Sequence, residues 1–288
     1  MINFFSSVIK GAHSVLLTNP TDRDALFEAF NIWPISLMPG VNTLYNGWPQ
    51  MEGFAQLPFQ FKHCIGGGAA VQRPVAERWL QVTGTSISEG YGLSETSPIL
   101  TINKADTEEY TGSIGLPLPS TDISLRDENG NEVGIGEPGE LCAKGPQVML
   151  GYWNREDVNK EFFTEDGFFR TGDMATVDEK GYFRIVDRKK DMILVSGFNV
   201  FLNEVEEVVA ACEGVLENAC IGIPHELTGE SVKIFVVKMP GVDLDEEQII
   251  DYCRDKLTAY KMPKYVEFLD ELPKSTVGKI LRRELRGD

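Results

Sequence analysis

Short apolar runs alternate with segments of helical period through residues 14–88, and that rhythm constrains the fold more than any other feature. An apolar run at residues 14–18 reads as strand-like and ends at Asn19-Pro20; Thr21 or Asp22 then stands ready to cap a helix through Phe30. Residues 34–38 and 61–65 read as further strands, 71–82 as a helix, and 86–88 as another strand. Strands separated by helices favour a largely parallel sheet with helices packed on it.

From residue 111 to 188 the texture changes. Turn signals recur at Asp127-Glu128-Asn129-Gly130, Glu137-Pro138-Gly139 and Asp178-Glu179-Lys180-Gly181. The β-branched and aromatic runs between them, such as 122–125 and 182–186, predict antiparallel hairpins. Beyond Arg188 a third texture begins. Leu202, Val205, Val208, Val209 and Cys212 mark one helical face, and Asn203 followed by Glu206 resembles a helix-start box. Strands are predicted at 219–223 and 232–237, and a second helix at 246–257 with Ile249, Ile250, Cys253 and Leu257 inward. The fold class is therefore α/β: an α/β part at 1–110, a mostly β part at 111–188, and a small α/β domain at 189–288.

Charge narrows the partners. With 27 Lys+Arg against 44 Asp+Glu, the net charge is -17. Nucleic acid is excluded as a main partner, because phosphate-backbone binding needs a positive surface; an anionic small molecule in a locally basic pocket is not. No run of about 18 apolar residues is present, so no spanning helix is expected. The first basic residue, Lys10, comes too late for a secretory signal. The five cysteines show no C-x-x-C spacing, which fits a reducing compartment rather than a disulfide or zinc framework. A cytoplasmic location is expected.

Four segments carry chemistry. Gly66-Gly67-Gly68-Ala69-Ala70 follows a predicted strand, where it serves either as a plain strand-to-helix turn or as a backbone that approaches a flat ligand. Glu89-Gly90-Tyr91-Gly92-Leu93-Ser94-Glu95-Thr96 offers a ring, two permissive backbone positions, a hydroxyl and a carboxylate. It reads as a base-stacking, phosphate- and magnesium-binding loop, or as a loop with a packed Tyr91 and a solvated Glu95. In Arg170-Thr171-Gly172-Asp173, Asp173 is suited to ribose hydroxyls, and downstream Arg188 to ribose or phosphate oxygens. The plain alternative is a turn residue beside a solvated basic face. Near the C-terminus, Gly278-Lys279 permits a reaching lysine.

In this order the four segments resemble the core motifs of the adenylate-forming superfamily: acyl-CoA synthetases, firefly-type luciferases and peptide-synthetase adenylation domains. The stretch DGFFRTGDMATVDEKGYFRIVDRKK at 166–190 is similar to the fatty acyl-CoA synthetase signature. DRKKDMILVSGFNV at 187–200 and the ending LPKSTVGKILRREL are similar to bacterial long-chain fatty-acid–CoA ligases. One departure is Gly167-Phe168-Phe169-Arg170, where the signature more usually reads Gly-Trp-Leu-His.

The resemblance implies two half-reactions. A fatty carboxylate attacks the α-phosphate of Mg-ATP to give acyl-adenylate and pyrophosphate; coenzyme A then takes the acyl group and AMP leaves. It implies nucleotide binding by Gly67, Gly68, Ala69, Gly90, Tyr91, Gly92, Leu93 and Ser94, with Tyr91 on the adenine and Ser94 toward the α-phosphate. Glu95 would ligate Mg²⁺, Asp173 would grip the ribose with Arg188 and Ile185 nearby, and Lys279 would bridge carboxylate and α-phosphate. Lys190 would be the hinge of a mobile C-terminal domain, 189–288, following a partial AMP-binding N-terminal domain, 1–188. Ser196, Gly197 and Phe198 would lie near the coenzyme A path. A long-chain substrate makes transient peripheral contact with the inner membrane an expectation and leaves homodimerisation open.

The family's phosphate loop, Ser/Thr-Gly-Thr-Thr-Gly-x-x-Lys in type, occurs nowhere in the sequence. The chain is thus expected to be the C-terminal half of a synthetase. Three readings stand: the adenine, ribose, hinge and lysine parts of a long-chain fatty-acid–CoA ligase; an adenylate-former for a medium-chain, aryl or amino-acid carboxylate; or a non-catalytic, nucleotide-binding half that needs a complementing partner.

Overall fold

The computed structural model describes residues 2–105, 107–275 and 278–287, with side chains from residue 5 onward. The chain divides into two compact units. One comprises Met1–Ile123, Ala143–Phe169 and Gly181–Phe183; the other comprises Ser124–Cys142, Arg170–Lys180 and Arg184–Asp288.

The first unit is built on a five-stranded sheet of β1 (Leu37–Gly40), β2 (His63–Gly66), β3 (Ile87–Gly92), β4 (Ile99–Ile102) and β5 (Leu116–Pro117), in that order. The first three strands are parallel, with Met38 opposite Cys64 and Cys64 opposite Ile87. β3, β4 and β5 are antiparallel neighbours. The predicted parallel sheet is therefore mixed. β3 and β4 are joined by a tight turn, and only antiparallel neighbours can be joined so briefly.

Four helices accompany this sheet: α1 (Ile2–Ile9), α2 (Arg23–Ile32), α3 (Asn42–Gly47) and α4 (Arg73–Thr83). Asp22 caps α2 by accepting from the Ala25 amide at 3.1 Å. Pro74 sits in the first turn of α4, and Gly84, in the left-handed region at φ 72°, closes its end. Trp79 from α4 is fully buried with Tyr45, Trp48 and Phe54. The Tyr45 hydroxyl donates to the carbonyls of Met38 and Ile65, which pins β1 to β2. The strand expected at 14–18 does not form. Only Leu17 reaches the core while Leu16 is 73% exposed, so the run has little burial to offset its ordering.

A four-stranded sheet follows, in the order β6 (Asp122–Arg126), β7 (Gly139–Lys144), β8 (Phe169–Val177) and β9 (Phe183–Arg188). The Asp127 turn closes through a Gly130 amide to Asp127 carbonyl bond of 3.1 Å. Helix α5 (Glu156–Phe162) lies between β7 and β8 in the chain.

Downstream, β10 (Ile193–Val195), β11 (Phe198–Val200), β12 (Val215–His225) and β13 (Gly229–Lys238) pair in the order β11-β10-β13-β12, and β14 (Tyr265–Phe268) pairs with β13 in parallel. On one face, Val205 and Val209 of α6 (Leu202–Ala210) and Ile249 and Cys253 of α7 (Glu246–Arg254) bury Cys220, Val232, Ile234 and Val236. On the other, Ala219, Ile221, Phe235 and Val237 pack with Leu272. A last short helix, α8, spans Arg282–Arg286.

The helix-start box predicted at Asn203 and Glu206 is overturned. Both residues lie inside α6, whose N-cap is Phe201 and makes no side-chain cap bond. The Leu202 amide is instead satisfied by the Asp187 carboxylate from β9, and Asn203 and Glu206 turn to Arg282. The reciprocal box occurs at α7, between Asp245 and Gln248.

Candidate active site

Within the first unit, two of the four chemical segments meet. Gly67 donates to the Gly40 carbonyl at 3.3 Å, and Gly68 turns the chain in the left-handed region at φ 80°. The far end of this loop is held by β3: the Val71 amide donates to the buried Glu89 carboxylate at 2.9 Å. A methyl group at Gly67 would sit 3.6 Å from the Gly90 carbonyl, so the glycine loop runs alongside β3. Gly68 and Ala69 are exposed and available to a ligand.

Gly90, Tyr91 and Gly92 lie inside β3, not after a strand ending at residue 88 as expected. Pairing with β4 extends the strand, Tyr91 facing Thr101 and Gly92 facing Ile99. Leu93 then opens a single 3-10 turn, Ser94–Thr96, and its amide donates to the Thr96 hydroxyl at 3.0 Å. Ser94 is exposed and Glu95 half-buried. Glu95 is not the simply solvated group of the plain reading. It accepts from the Tyr152 hydroxyl at 2.9 Å, and its carbonyl accepts from the Met149 amide at 2.8 Å. Burial, the hydrogen bond to Glu95 and its negative charge push the Tyr152 phenol up to about 12. Sequence reasoning missed Tyr152, which lies 57 residues from Glu95 with no periodic signal linking them.

The second unit gathers the other segments. Asp173 lies mid-way along β8, its side chain only 11% exposed, with Arg188 Nε 3.6 Å from Oδ1. Thr171 accepts from the Asp173 amide and donates to the Leu141 carbonyl, which sets the turn of the strand there. Ile185 is half-buried on β9. Arg170, the departure from the usual signature, is accommodated by buried Glu140, whose Oε2 lies 3.4 Å from Arg170 and 3.1 Å from Lys189.

Lys190 is exposed in the turn between β9 and β10. Ser196 and Gly197, at φ 54° and 83°, make the two-residue turn from β10 to β11. Phe198 is exposed and stacks on Tyr260 at 4.8 Å. Beside them opens a cavity of about 280 Å³ lined in part by Ser196, Thr228, Tyr260 and Lys264.

Lys279 sits on a short ribbon. Its carbonyl accepts from the Ser275 amide at 2.8 Å, and Lys274 and Ile280 form an antiparallel bridge. Thr276 and Val277 of this motif lie outside the described residues. Burial, then the Arg188 cation, hold the Lys279 amine below the usual lysine range; Asp173 opposes them, and Arg282 and Lys190 add to them. Lys279, Asp173 and Arg188 therefore share one electrostatic neighbourhood. A carboxylate with Arg188 Nε 3.6 Å away and the Lys279 amine in its field suits a ligand that pairs hydroxyls with phosphate oxygens.

Two family models match the chain. The model described as AMP-binding enzyme matches residues 1–153, and that of the AMP-binding enzyme C-terminal domain matches residues 204–279. The chain belongs to the AMP-binding enzyme family. This AMP-binding enzyme is 53% identical to a long-chain-fatty-acid–CoA ligase of Yersinia pestis over 100% of its own length and 51% of the relative's. It thus spans about half the length of the curated relatives it matches. Among solved structures it resembles ATP-bound MatB from Rhodopseudomonas palustris, with 32% identity, TM-score 0.89, and coverage of 99% of this chain and 56% of that one. It also resembles the anthranilate CoA ligase AuaEII in complex with anthranoyl-AMP, with 28% identity, TM-score 0.89, and coverage of 96% and 54%.

Glu95 is the candidate protein oxygen donor for a magnesium ion in this AMP-binding enzyme. Among the described residues no three His, Cys, Asp or Glu side chains form a metal cage. A single part-exposed carboxylate at Glu95 fits Mg²⁺, which usually keeps waters and substrate phosphates beside one or two carboxylates.

Proposed function

We propose that the chain supplies the adenine, ribose, hinge and lysine parts of a long-chain fatty-acid–CoA ligase. The observation that carries this reading is the common neighbourhood of Lys279, Asp173 and Arg188. The 53% identity to a protein named for that activity supports the acyl class.

In this reading a fatty carboxylate oxygen attacks the α-phosphorus of ATP, and the bond to pyrophosphate breaks. Two anions must approach, and the Lys279 ammonium offsets their repulsion where charge develops. Asp173, already largely desolvated, accepts from the ribose hydroxyls, and Arg188 steadies the same sugar. The loop Gly67, Gly68 and Ala69 and the strand Gly90, Tyr91, Gly92 and Leu93 enclose the adenine, with Ser94 toward the phosphates. Glu95 would hold Mg²⁺, which would supply positive charge to the phosphate oxygens. The coenzyme A thiol then attacks the acyl carbon and AMP leaves. A C-terminal domain from residue 189 turns about Lys190 between these steps, bringing Ser196, Gly197 and Phe198 to the thiol's path. Among the described residues no helix is long and apolar enough to cross a membrane. In this reading a lipid substrate is met through transient peripheral contact at the inner membrane.

The missing phosphate-loop segment favours a second reading for the 288-residue chain by itself: a nucleotide-binding half that turns over only with a complementing partner. AMP release with oleate, Mg-ATP and coenzyme A, against Lys279→Ala as blank, separates the two. Oleate-dependent AMP from the chain makes it a ligase. AMP only after the N-terminal half of a relative is supplied selects the second reading. No oleate-dependent AMP in either case refutes the acyl assignment.

A further inference from the structure

The ribbon that bears Lys279 is anchored at Leu272, buried against Ala219, Ile221, Phe235 and Val237 with Ile280 packed on the same cluster, and by the Lys274–Glu217 ion pair at 2.8 Å. A further anchor is Arg282, which directly follows Leu281, whose amide donates to the Pro273 carbonyl at 2.8 Å. The Arg282 side chain is 19% exposed. Nε and Nη2 form a two-pronged fork on Glu206 of α6 at 3.1 and 2.7 Å, and Nη2 also donates to Asn203 at 2.7 Å. Nη1 lies 3.9 Å from Asp187 and 3.7 Å from Asp191. Arg286, one turn on, pairs with Asp191 at 2.9 Å.

These partners flank Lys190. Glu206, Asn203 and Asp191 follow it in the chain and stay with the Lys279 ribbon in any turn about it. Asp187 precedes it, and besides Arg282 it reaches the Leu202 amide. The network thus joins a firm attachment, the fork on α6, to a looser one across Lys190.

We propose that Arg282 is a positioning residue for Lys279: it docks the lysine ribbon on α6 and, through Asp187, holds it on the Asp173–Arg188 side of Lys190. The inference rests on the proposed function for the roles of Lys279 and Lys190. Its test does not depend on turnover.

Acetic anhydride labelling of the 288-residue chain, read at the Lys279 peptide by mass spectrometry across pH, reports the surroundings of that amine. Burial depresses the wild-type midpoint. Freeing the ribbon must raise the midpoint, because the amine regains water. Arg282→Lys keeps the charge and loses the planar fork. It is expected to raise the midpoint of the Lys279 labelling profile, with the Lys62 profile unchanged as reference. Glu206→Gln removes a negative charge, which by charge alone would lower the midpoint; detachment predicts a rise instead. A folded Arg282→Lys chain with the wild-type profile overturns the proposal. Should Arg282→Lys lose its far-UV helix signal, an unchanged or lowered midpoint in folded Glu206→Gln overturns it equally. A raised midpoint in a chain that releases no oleate-dependent AMP, even with the N-terminal half of a relative supplied, would keep the positioning role and retire only the ligase reading.

Discussion

Replacing Gly92 with alanine isolates one contact on which the β3–β4 corner depends. A methyl group built at Gly92 falls 1.7 Å from the Pro98 carbonyl oxygen, 2.6 Å from its carbon and 2.8 Å from Ile99 Cα. All three are backbone atoms of the facing segment, so no side chain can swing aside. Ordinary contact begins at 3.4 Å, and the strands must part by about 1.7 Å to reach it. That gap breaks the Gly92–Ile99 pairing and disturbs the 2.7 Å bond from the Thr96 hydroxyl to the Pro98 carbonyl. Two hydrogen bonds at about 1 kcal/mol each, plus one buried group left unsatisfied, give a loss of about 3 kcal/mol. Gly67→Ala is the matched control. Its methyl group would meet nothing nearer than 3.6 Å, so its stability should change by about 0.5 kcal/mol at most. Urea unfolding followed by tryptophan fluorescence suits both variants, because Trp33, Trp48, Trp79 and Trp153 all belong to the unit that contains Gly92. A Gly92→Ala chain as stable as wild type, or a Gly67→Ala chain equally damaged, would refute the packing argument.

Asp173→Ala should weaken AMP binding by about 1.5–3 kcal/mol, the worth of hydrogen bonds to a charged acceptor, or roughly tenfold to a hundredfold in affinity. Unchanged affinity by calorimetry removes Asp173 from the site. With the N-terminal half of a relative supplied, Lys279→Ala should cripple adenylation yet largely spare thioester formation from supplied acyl-adenylate; equal loss in both half-reactions counts against the assigned role. Burial pushes the Asp187 carboxyl up to about 6, against the pull of Arg282 and two backbone N–H donors. The folded chain therefore binds this proton more tightly than the unfolded one, and Asp187's contribution makes stability fall as pH rises from about 4 to about 6. Asp187→Asn should flatten that slope in urea titrations followed by far-UV circular dichroism, and an identical slope would show that another group causes it.

What the sequence disclosed was local. Asp22 after Asn19-Pro20 marked the start of α2, and the spacing of Val205, Val209, Ile249 and Cys253 named the buried faces of α6 and α7. The Asp127 turn stood where its residue types require. Long-range contacts were hidden. β3 runs past residue 88 because β4 pairs with it, and α6 is capped by Asp187 from 15 residues upstream. No window of sequence holds both partners of such a contact. The same holds for the site. The glycine loop and the Asp173 segment were visible as motifs, whereas the Glu89 tether, the Tyr152 bond to Glu95 and the Arg282 fork join residues 18, 57 and 76 positions apart. Motifs mark which residues carry chemistry; what aims them is fixed only when distant strands and helices close.

All five cysteines are buried as free thiols. Burial pushes Cys64 up to about 12 and Cys142 and Cys253 to about 11, so few thiolates form in the folded chain. Each sulfur is a sealed recorder that can be written on only when its own neighbourhood opens. Cys64 keeps the record for the first unit, and Cys142, Cys212, Cys220 and Cys253 keep it for the second. A pulse of alkylating agent during slow denaturation, read peptide by peptide, would give the order in which the two units come apart without adding any label to the protein beforehand.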